Sequence, residues 1–261
     1  MKGWTRRWTS LIPLIPLIAV ASVLEILVRS GVVPSYILPA PSDVIRSLLS
    51  DYDEYSSGFL STTFAAVIGL SLSFILGTTV SILLSLSNLL RRSILPYATF
   101  FQTVPVIALA PVLVIWFGFG RPTVVASAFI VSIFPIIANS LLGLQSTDPL
   151  LLDLFKLHRA TRFQTLWKLQ LPASLPAIFG GLRIASGLAV IGAVVGEFIA
   201  GGGLGEVVDS ARTQQRLDKV FAAVLLSSLL GLLLVALIDF VSRRTLRSWY
   251  AGERNNFEEL P

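Results

Sequence analysis

Residues 153–203, DLFKLHRATRFQTLWKLQLPASLPAIFGGLRIASGLAVIGAVVGEFIAGGG, decide the fold of this chain. The first part of the stretch is polar, basic and compatible with a helix, and the part that follows is a long apolar run. A run of roughly 20 apolar residues is long enough to cross a bilayer as a helix. The stretch therefore predicts a folded polar loop that leads directly into a membrane-spanning helix.

The composition of the whole chain predicts an integral membrane protein. Of the 261 residues, 54% are hydrophobic and only 13% are charged, which is too little polar surface to cover a water-soluble domain. The absence of cysteine and the single histidine, His158, exclude disulfides, thiolate metal sites, cysteine nucleophiles and histidine-rich metal clusters. The net charge of +5 comes largely from Lys and Arg at the ends of apolar runs, which favours a role in membrane orientation over nucleic-acid binding.

Six apolar runs predict an all-α polytopic membrane protein with six transmembrane helices, forming a single transmembrane domain over residues 1–261. The runs cover residues 11–28, 58–87, 94–117, 123–144, 173–200 and 220–242. The polar segments between them are too short to form a separate catalytic domain.

The distribution of Lys and Arg predicts that both termini are cytoplasmic, because short loops rich in these residues stay on that side of the membrane. The basic residues that fall on one side are Lys2, Arg6, Arg7, Arg91, Arg92, Lys156, Arg159, Arg162, Lys168, Arg243, Arg244 and Arg247. The first run also allows a reading as a secretory signal, since Ala19, Val20 and Ala21 look like a cleavage site. Apolar character continues through Val28, which favours a retained span.

Small residues recur at every fourth position of the second run and predict a helix-packing face. In lipid, such a stripe lets two helix backbones approach closely. The sequence favours a partner helix in the same chain and leaves a second subunit open. The stripe consists of Ser61, Ala65, Gly69, Ser73, Gly77, Ser81 and Ser85.

Three polar residues inside apolar runs, Gln102, Asn139 and Glu197, are candidates for a solute path. An unpaired polar group is costly in the membrane and usually faces the protein interior or a wet cavity. Glu197 could instead reach water at the outer interface. Pro105 and Pro111 predict a bend in the third helix, either at the path or as a structural kink alone.

The polar loop has two faces at helical spacing, which predicts a short helix docked on a partner. The polar face carries Asp153, Lys156, Arg159 and Arg162, and the apolar face carries Leu154, Phe155, Leu157, Phe163, Leu166 and Leu169. An amphipathic helix lying on the anionic inner leaflet is the alternative.

The loop resembles the cytoplasmic coupling loop of binding-protein-dependent ABC transporter permeases. The family motif reads Glu-Ala-Ala, three residues, Gly, nine residues, Ile, one residue, Leu-Pro. Aligned on Leu171 and Pro172, the sequence places Asp153 at the Glu, Leu154 and Phe155 at the two Ala, Arg159 at the Gly and Leu169 at the Ile. Residues 101–120 and 134–144 are similar to the nitrate, sulfonate and taurine branch, so the resemblance covers a permease core of about residues 58–249, with the coupling loop at about 145–172.

The resemblance implies a type I ABC importer-like fold that works by alternating access in the bacterial inner membrane. It implies two permease copies as a homodimer, cytoplasmic ATPase subunits that bind ATP and Mg, and a periplasmic or lipid-anchored solute-binding protein. No cofactor is expected on this chain. The residues that the resemblance assigns to ATPase coupling, with their helix neighbours, are Asp153, Leu154, Phe155, Lys156, Leu157, Arg159, Leu171 and Pro172.

Two other classes of function compete with the permease. An intramembrane enzyme would need a nucleophile and a base facing each other, yet His158 lies in the polar loop and no Gly-x-Ser-x-Gly occurs. An ATP-independent channel or carrier would not need the basic loop. No nucleotide-binding Gly-x-x-x-x-Gly-Lys-Ser/Thr motif is present, so the energy source is expected on another chain. The expected solute is a sulfonate, taurine, nitrate or bicarbonate, or a thiamine-precursor or riboflavin-like heterocycle.

Overall fold

The computed structural model describes the backbone of residues 14–257 and most of their side chains. Every regular element in this range is helical. In chain order the helices are α1 (Leu14–Arg29), α2 (Pro41–Ser50), α3 (Tyr52–Leu86), α4 (Asn88–Thr103), α5 (Val106–Phe117), α6 (Arg121–Gln145), α7 (Pro149–Leu157), α8 (Arg162–Thr165), α9 (Leu171–Ala200), α10 (Gly203–Thr213) and α11 (Leu217–Phe257). A π-helical turn, Leu166–Gln170, joins α8 to α9 without a break.

Four helical segments within residues 14–257 are long and apolar enough to cross a membrane. They are Tyr52–Leu86, Arg121–Gln145, Arg162–Ala200 and Leu217–Arg247, and Val106–Phe117 is a shorter apolar helix. The start of the first predicted span, residues 11–13, and the predicted signal-like basic residues before it lie outside the described range.

The prediction of one bent helix over residues 94–117 was wrong, because the chain there forms two helices. α4 ends at Thr103, and α5 begins after Pro105, whose backbone is extended with ψ of 120°. Proline has no N–H to continue the hydrogen bonds of α4, and it fits the start of a new helix, where that donor is not needed. Pro111 lies inside α5, which continues through it.

Helix α9 packs along α6, and small residues allow their backbones to come close. A Cβ built on Gly192 of α9 would lie only 2.8 Å from the Cα of Ala128 in α6. The Ser127 hydroxyl donates a hydrogen bond of 2.7 Å to the Gly192 carbonyl. Buried alanines from α3, α6 and α9 fill the core around this contact. Any side chain larger than glycine at position 192 would push α6 and α9 apart.

The small-residue stripe of α3 packs against α6 of the same chain. A Cβ on Gly69 would lie 2.6 Å from the Ala128 Cβ, and one on Gly77 would lie 3.0 Å from Ile136. Between them, the buried Ser73 hydroxyl donates to the Phe129 carbonyl at 2.9 Å. The stripe thus joins α3 to the α6–α9 pair.

Candidate functional site

The polar loop contains a short helix, α7, with a defined start. The Asp148 carboxylate accepts a hydrogen bond of 2.8 Å from the Leu150 N–H, and Pro149 occupies the first helical position. Asp and Pro are favoured at these two positions because one caps a free N–H and the other needs none. Phe155 and Leu157 lie in the last turn of α7, whereas the sequence predicted a helix that extended beyond them.

The chain turns sharply after α7, at the position where the family motif has glycine. Arg159 adopts φ of +53°, in the left-handed region that most side chains disfavour. A capping box then starts α8: the Thr161 hydroxyl accepts from the Gln164 N–H, and the Gln164 side chain accepts from the Thr161 N–H. The bend expected from a glycine is therefore present with arginine in its place.

Helix α8, the π-helical turn and α9 form one continuous helical rod that connects the loop to the core. Leu171 and Pro172 lie at the start of α9, where Pro172 occupies the first turn. Leu166, which was predicted on the outward apolar face, is 2% exposed and packs inward instead. A displacement of α8 would therefore act directly on α9, which packs in the core.

A group of apolar side chains at this end of the molecule has no partner within the described chain that covers it. We call this group the loop surface: Leu150, Leu154, Leu157, Phe163 and Trp167. Leu157 is 81% exposed and Leu150 is 77% exposed. Exposed apolar side chains in an otherwise polar, basic loop favour an interaction site.

Phe155 lies beside the loop surface and is half-buried. It lines a groove of about 380 Å³ together with Leu154, His158, Ala160, Gln164 and Lys168. Asp153 and Lys156 form an exposed ion pair of 2.8 Å on the same helix. Exposed pairs contribute little to stability, so Asp153 and Lys156 remain available for charged contacts.

At the opposite end of α9, the structure buries Glu197 between three helices. One carboxylate oxygen, Oε2, accepts hydrogen bonds from the Thr62 hydroxyl at 2.9 Å and from the Gly205 N–H at 3.0 Å. The Thr62 hydroxyl oxygen also accepts from the Leu204 N–H at 2.9 Å. Glu197 is 1% exposed, and its other oxygen, Oε1, has no hydrogen-bond partner within the described chain. The carboxylate therefore does not reach water at the interface; its role in a solute path stays a prediction.

The glycines after Glu197 create the room for this carboxylate. Gly201, Gly202 and Gly203 all have positive φ and turn the chain from α9 into α10. A Cβ on Gly203 would overlap the Glu197 carboxylate. The glycine-rich run thus allows the start of α10 to pack closely against Glu197. The sequence did not indicate Thr62 as the hydrogen-bond partner of Glu197.

The other two solute-path candidates have different settings. The Asn139 amide donates to the Pro135 carbonyl at 2.9 Å, and its Cβ faces the position of Gly181 on α9. Asn139 thus bonds a backbone carbonyl of its own helix and packs on α9. Gln102 belongs to the last turn of α4, and its side chain lies outside the described part of the structure. Their roles in a solute path stay predictions.

A large cavity opens where α4 and α5 separate. Its volume is about 620 Å³ and its walls come from the α4–α5 junction, α5, α6 and α9. The lining residues are Val104, Val106, Leu109, Val112, Leu113, Trp116, Ile130, Val131, Ile133, Phe134, Pro135, Ile137 and Leu188. Neither Asn139 nor Glu197 is among them. The only sequence signal for this site was the pair of prolines at 105 and 111.

Comparisons with known proteins agree with this architecture. A family model described as "Binding-protein-dependent transport system inner membrane component" matches residues 69–247. A probable ABC transporter permease protein of Haemophilus influenzae is 36% identical over 215 residues, which cover 82% of this chain and 88% of the relative. The formylaminopyrimidine transport permease protein ThiX of Halalkalibacterium halodurans is 39% identical over 200 residues, which cover 76% and 80%.

A solved structure shares the fold at low sequence identity. It is a chain of the MetNI methionine ABC transporter in an inward-facing conformation. The TM-score is 0.65 at 20% identity, and the match covers 75% of this chain and 95% of the other.

Proposed function

Because the chain belongs to the family of binding-protein-dependent transport system inner membrane components, we propose that it is the permease subunit of an ATP-driven ABC importer. The observation that carries this proposal is the loop surface joined through one continuous helical rod to the core helix α9. Phe163 and Trp167 of the loop surface lie on this rod, whereas α7 is connected to the rod through the turn at residues 158–161. A partner that contacts both α7 and the start of the rod could therefore displace α9. The chain itself would perform no covalent chemistry.

The proposed topology has six membrane crossings with both termini in the cytoplasm. The crossings would be α1, α3, the α4–α5 pair, α6, the rod from α8 to α9, and α11. The support comes from the four long apolar helices, the shorter helix Val106–Phe117 and the distribution of Lys and Arg. A reporter fused after residue 261 and one inserted at residue 148 should both read cytoplasmic; a periplasmic signal from either would contradict this topology.

The proposed partners are two cytoplasmic ATPase subunits, a second copy of this chain and an external solute-binding protein. The ATPase would dock on α7, through Phe155 and Leu157 with Asp153 as a charged contact, and would hold the ATP and Mg. The support is the exposure of the apolar side chains of the loop surface, because contact between apolar side chains and water is unfavourable and a partner would remove it. An amphipathic helix resting on the lipid surface would also bury these side chains, so the experiment must distinguish ATPase from lipid.

The test is purification of the affinity-tagged chain from its native membranes, with identification of any ABC ATPase that copurifies with it. We expect the ATPase to remain bound through detergent extraction, and we expect uptake into proteoliposomes to require both ATP and the solute-binding protein. Uptake without ATP would instead assign the chain to channels or carriers. Recovery of the chain without an ATPase would contradict the proposed permease function and leave the lipid surface as the alternative contact of α7.

For the solute, the proposal retains the two classes indicated by the sequence: a small oxoanionic or sulfonated compound, or a pyrimidine-like or riboflavin-like heterocycle. The formylaminopyrimidine named for the Halalkalibacterium halodurans relative supports the heterocycle class.

A further inference from the structure

The cavity at the α4–α5 junction is bounded by α5, α6 and α9, which are among the apolar helices proposed to cross the membrane. α5 has 12 residues, and at 1.5 Å per residue it is about 18 Å long. Its end is held at the end of α9, where the Gly120 N–H donates to the Ala200 carbonyl at 2.9 Å. The junction at Val104 and Pro105 therefore lies within about 18 Å of the end of α9 along the chain of α5, and we place it inside the hydrocarbon layer of about 30 Å.

The interruption between α4 and α5 leaves backbone polar groups without their helical hydrogen-bond partners. Pro105 offers no N–H, so the carbonyl four residues earlier lacks its helical donor. Backbone groups without helical partners are tolerated in the membrane only when protein covers them or when they line a water-filled cavity. Val104 and Val106, on either side of Pro105, both line the 620 Å³ cavity. In transporters, interrupted membrane helices of this kind occur at solute sites.

The chemistry of the cavity walls restricts what can pass. Among the described residues that line the cavity, none carries a charge, a hydroxyl or a carboxamide, and the large rings of Trp116 and Phe134 are both among the walls. Moving an ionised group from water into such walls is strongly unfavourable without a compensating charge. Flat rings, by contrast, stack on aromatic side chains and keep their polar edges free for hydrogen bonds.

From these observations we propose that the cavity is the solute passage and that it accepts an uncharged, flat heteroaromatic solute. The ring would lie against Phe134 and Trp116, and its edge donors would pair with the backbone carbonyls before Pro105 that lack a helical N–H partner. Sulfonates, nitrate and bicarbonate find no charged partner among the described residues of these walls. This inference rests on the permease function proposed above and selects between its two solute classes.

The absence of cysteine from this chain allows a direct test in the assembled transporter. Val131 on α6 lines the cavity. Leu229 on α11 is the control position: it is 47% exposed, and it lies at a similar distance along its helix from the helix start. Each is changed to cysteine in an otherwise unaltered chain. The complex with its ATPase and binding protein is then reacted with neutral N-ethylmaleimide and with the anionic reagent methanethiosulfonate ethylsulfonate.

Because a thiol forms its reactive thiolate in contact with water, we expect N-ethylmaleimide to label Val131→Cys about tenfold faster than Leu229→Cys. The anionic reagent should label Val131→Cys far more slowly than the neutral one, relative to their rates on free cysteine. Formylaminopyrimidine, as the heteroaromatic probe, should slow the labelling of Val131→Cys, whereas taurine should not.

Equal labelling rates at the two positions would contradict the assignment of the cavity as the solute passage. Fast labelling of Val131→Cys by the anionic reagent, or its protection by taurine, would contradict the assignment of an uncharged solute. ATP-dependent uptake is measured on the same preparations. If uptake is intact while Val131→Cys is unreactive, this inference fails and the permease function stands. If no ATPase is bound, the permease function itself fails.

Discussion

The Glu197 carboxylate accepts a hydrogen bond of 2.9 Å from the Thr62 hydroxyl, which lies 135 residues earlier in the chain. Thr62 belongs to α3 and Glu197 to α9, and the Gly205 N–H that also donates to Glu197 belongs to α10. Three helices therefore meet at one buried carboxylate.

The first prediction concerns the stability of this junction. Thr62→Val leaves a buried N–H and a carboxylate oxygen each short of one partner, which should lower the free energy of unfolding by about 1–3 kcal/mol. Glu197→Ala should cost at least as much, and the double variant should lose less than the sum of the two. Unfolding in mixed micelles measures all three. Thr79→Val is the control, because the exposed Thr79 hydroxyl donates to the Ile75 carbonyl of its own helix. Strictly additive losses of stability in the double variant would show that Thr62 and Glu197 act independently.

The second prediction separates the junction from the solute path. Glu197→Gln removes the carboxylate's capacity for charge with little change in volume, and its amide oxygen can still accept from Thr62 and Gly205. If Glu197 also contributes to the path, uptake or the pH dependence of uptake should change while the ATPase stays bound. Unaltered uptake across a range of pH would assign Glu197 to the junction alone.

The third prediction concerns the close contact between α3 and α6. Gly69→Ala places a methyl group 2.6 Å from the Ala128 Cβ, so the helices must separate, at a cost of about 1–3 kcal/mol. Gly187→Ala on α9 is the control, because a Cβ there meets nothing within 4 Å. We expect a lower thermal midpoint of the purified complex for Gly69→Ala alone. Equal midpoints for the two variants would show that α3 and α6 can readily separate.

The fourth prediction concerns the turn after α7. Arg159→Gly relieves a left-handed conformation that costs an arginine about 1 kcal/mol, so the variant should be at least as stable as the parent. Lys156→Gly, three residues earlier within α7, should instead lose about 1 kcal/mol, because glycine weakens a helix. Proteolysis of the loop in the purified chain reports both. Faster cleavage of Arg159→Gly would mean that the arginine side chain itself holds the turn.

Features that depend on local spacing were predictable from the sequence. The stripe around Gly69, Ser73 and Gly77 follows from helical repeat alone, as does the position of α9 after the loop. Pro105 and Pro111 both remove a donor, but only Pro105 ends a helix, and nothing in the local sequence distinguishes them. The pairing of Thr62 with Glu197 depends on tertiary packing and has no sequence signal.

The walls of the cavity could not be predicted for a related reason. In a membrane protein, apolar residues face lipid, core and cavity alike, so Val131 and Leu229 have the same appearance in the sequence. Only the arrangement of α5, α6 and α9 distinguishes a lining residue from a lipid-facing one.

The central claim is that an ATPase binds α7, through the loop surface and the neighbouring Phe155, and displaces α9. Phe155 and Leu157 are the residues that test it. Leu157 is 81% exposed in the chain alone, so its truncation removes few contacts within the permease. An apolar anchor in a partner groove contributes about 2 kcal/mol or more to binding, while an exposed charge contributes little. Lys156→Ala is therefore the matched control on the same helix.

The decisive measurement is ATPase affinity for the detergent-purified permease, combined with ATP-driven uptake, for Phe155→Ala, Leu157→Ala and Lys156→Ala. We expect the first two variants to bind the ATPase about 30-fold more weakly and to lose coupled uptake, with the thermal midpoint of the isolated permease unchanged for Leu157→Ala. Lys156→Ala should remain within about threefold of the parent. Full ATPase binding and full uptake by both Phe155→Ala and Leu157→Ala would contradict the account and place the coupling surface elsewhere.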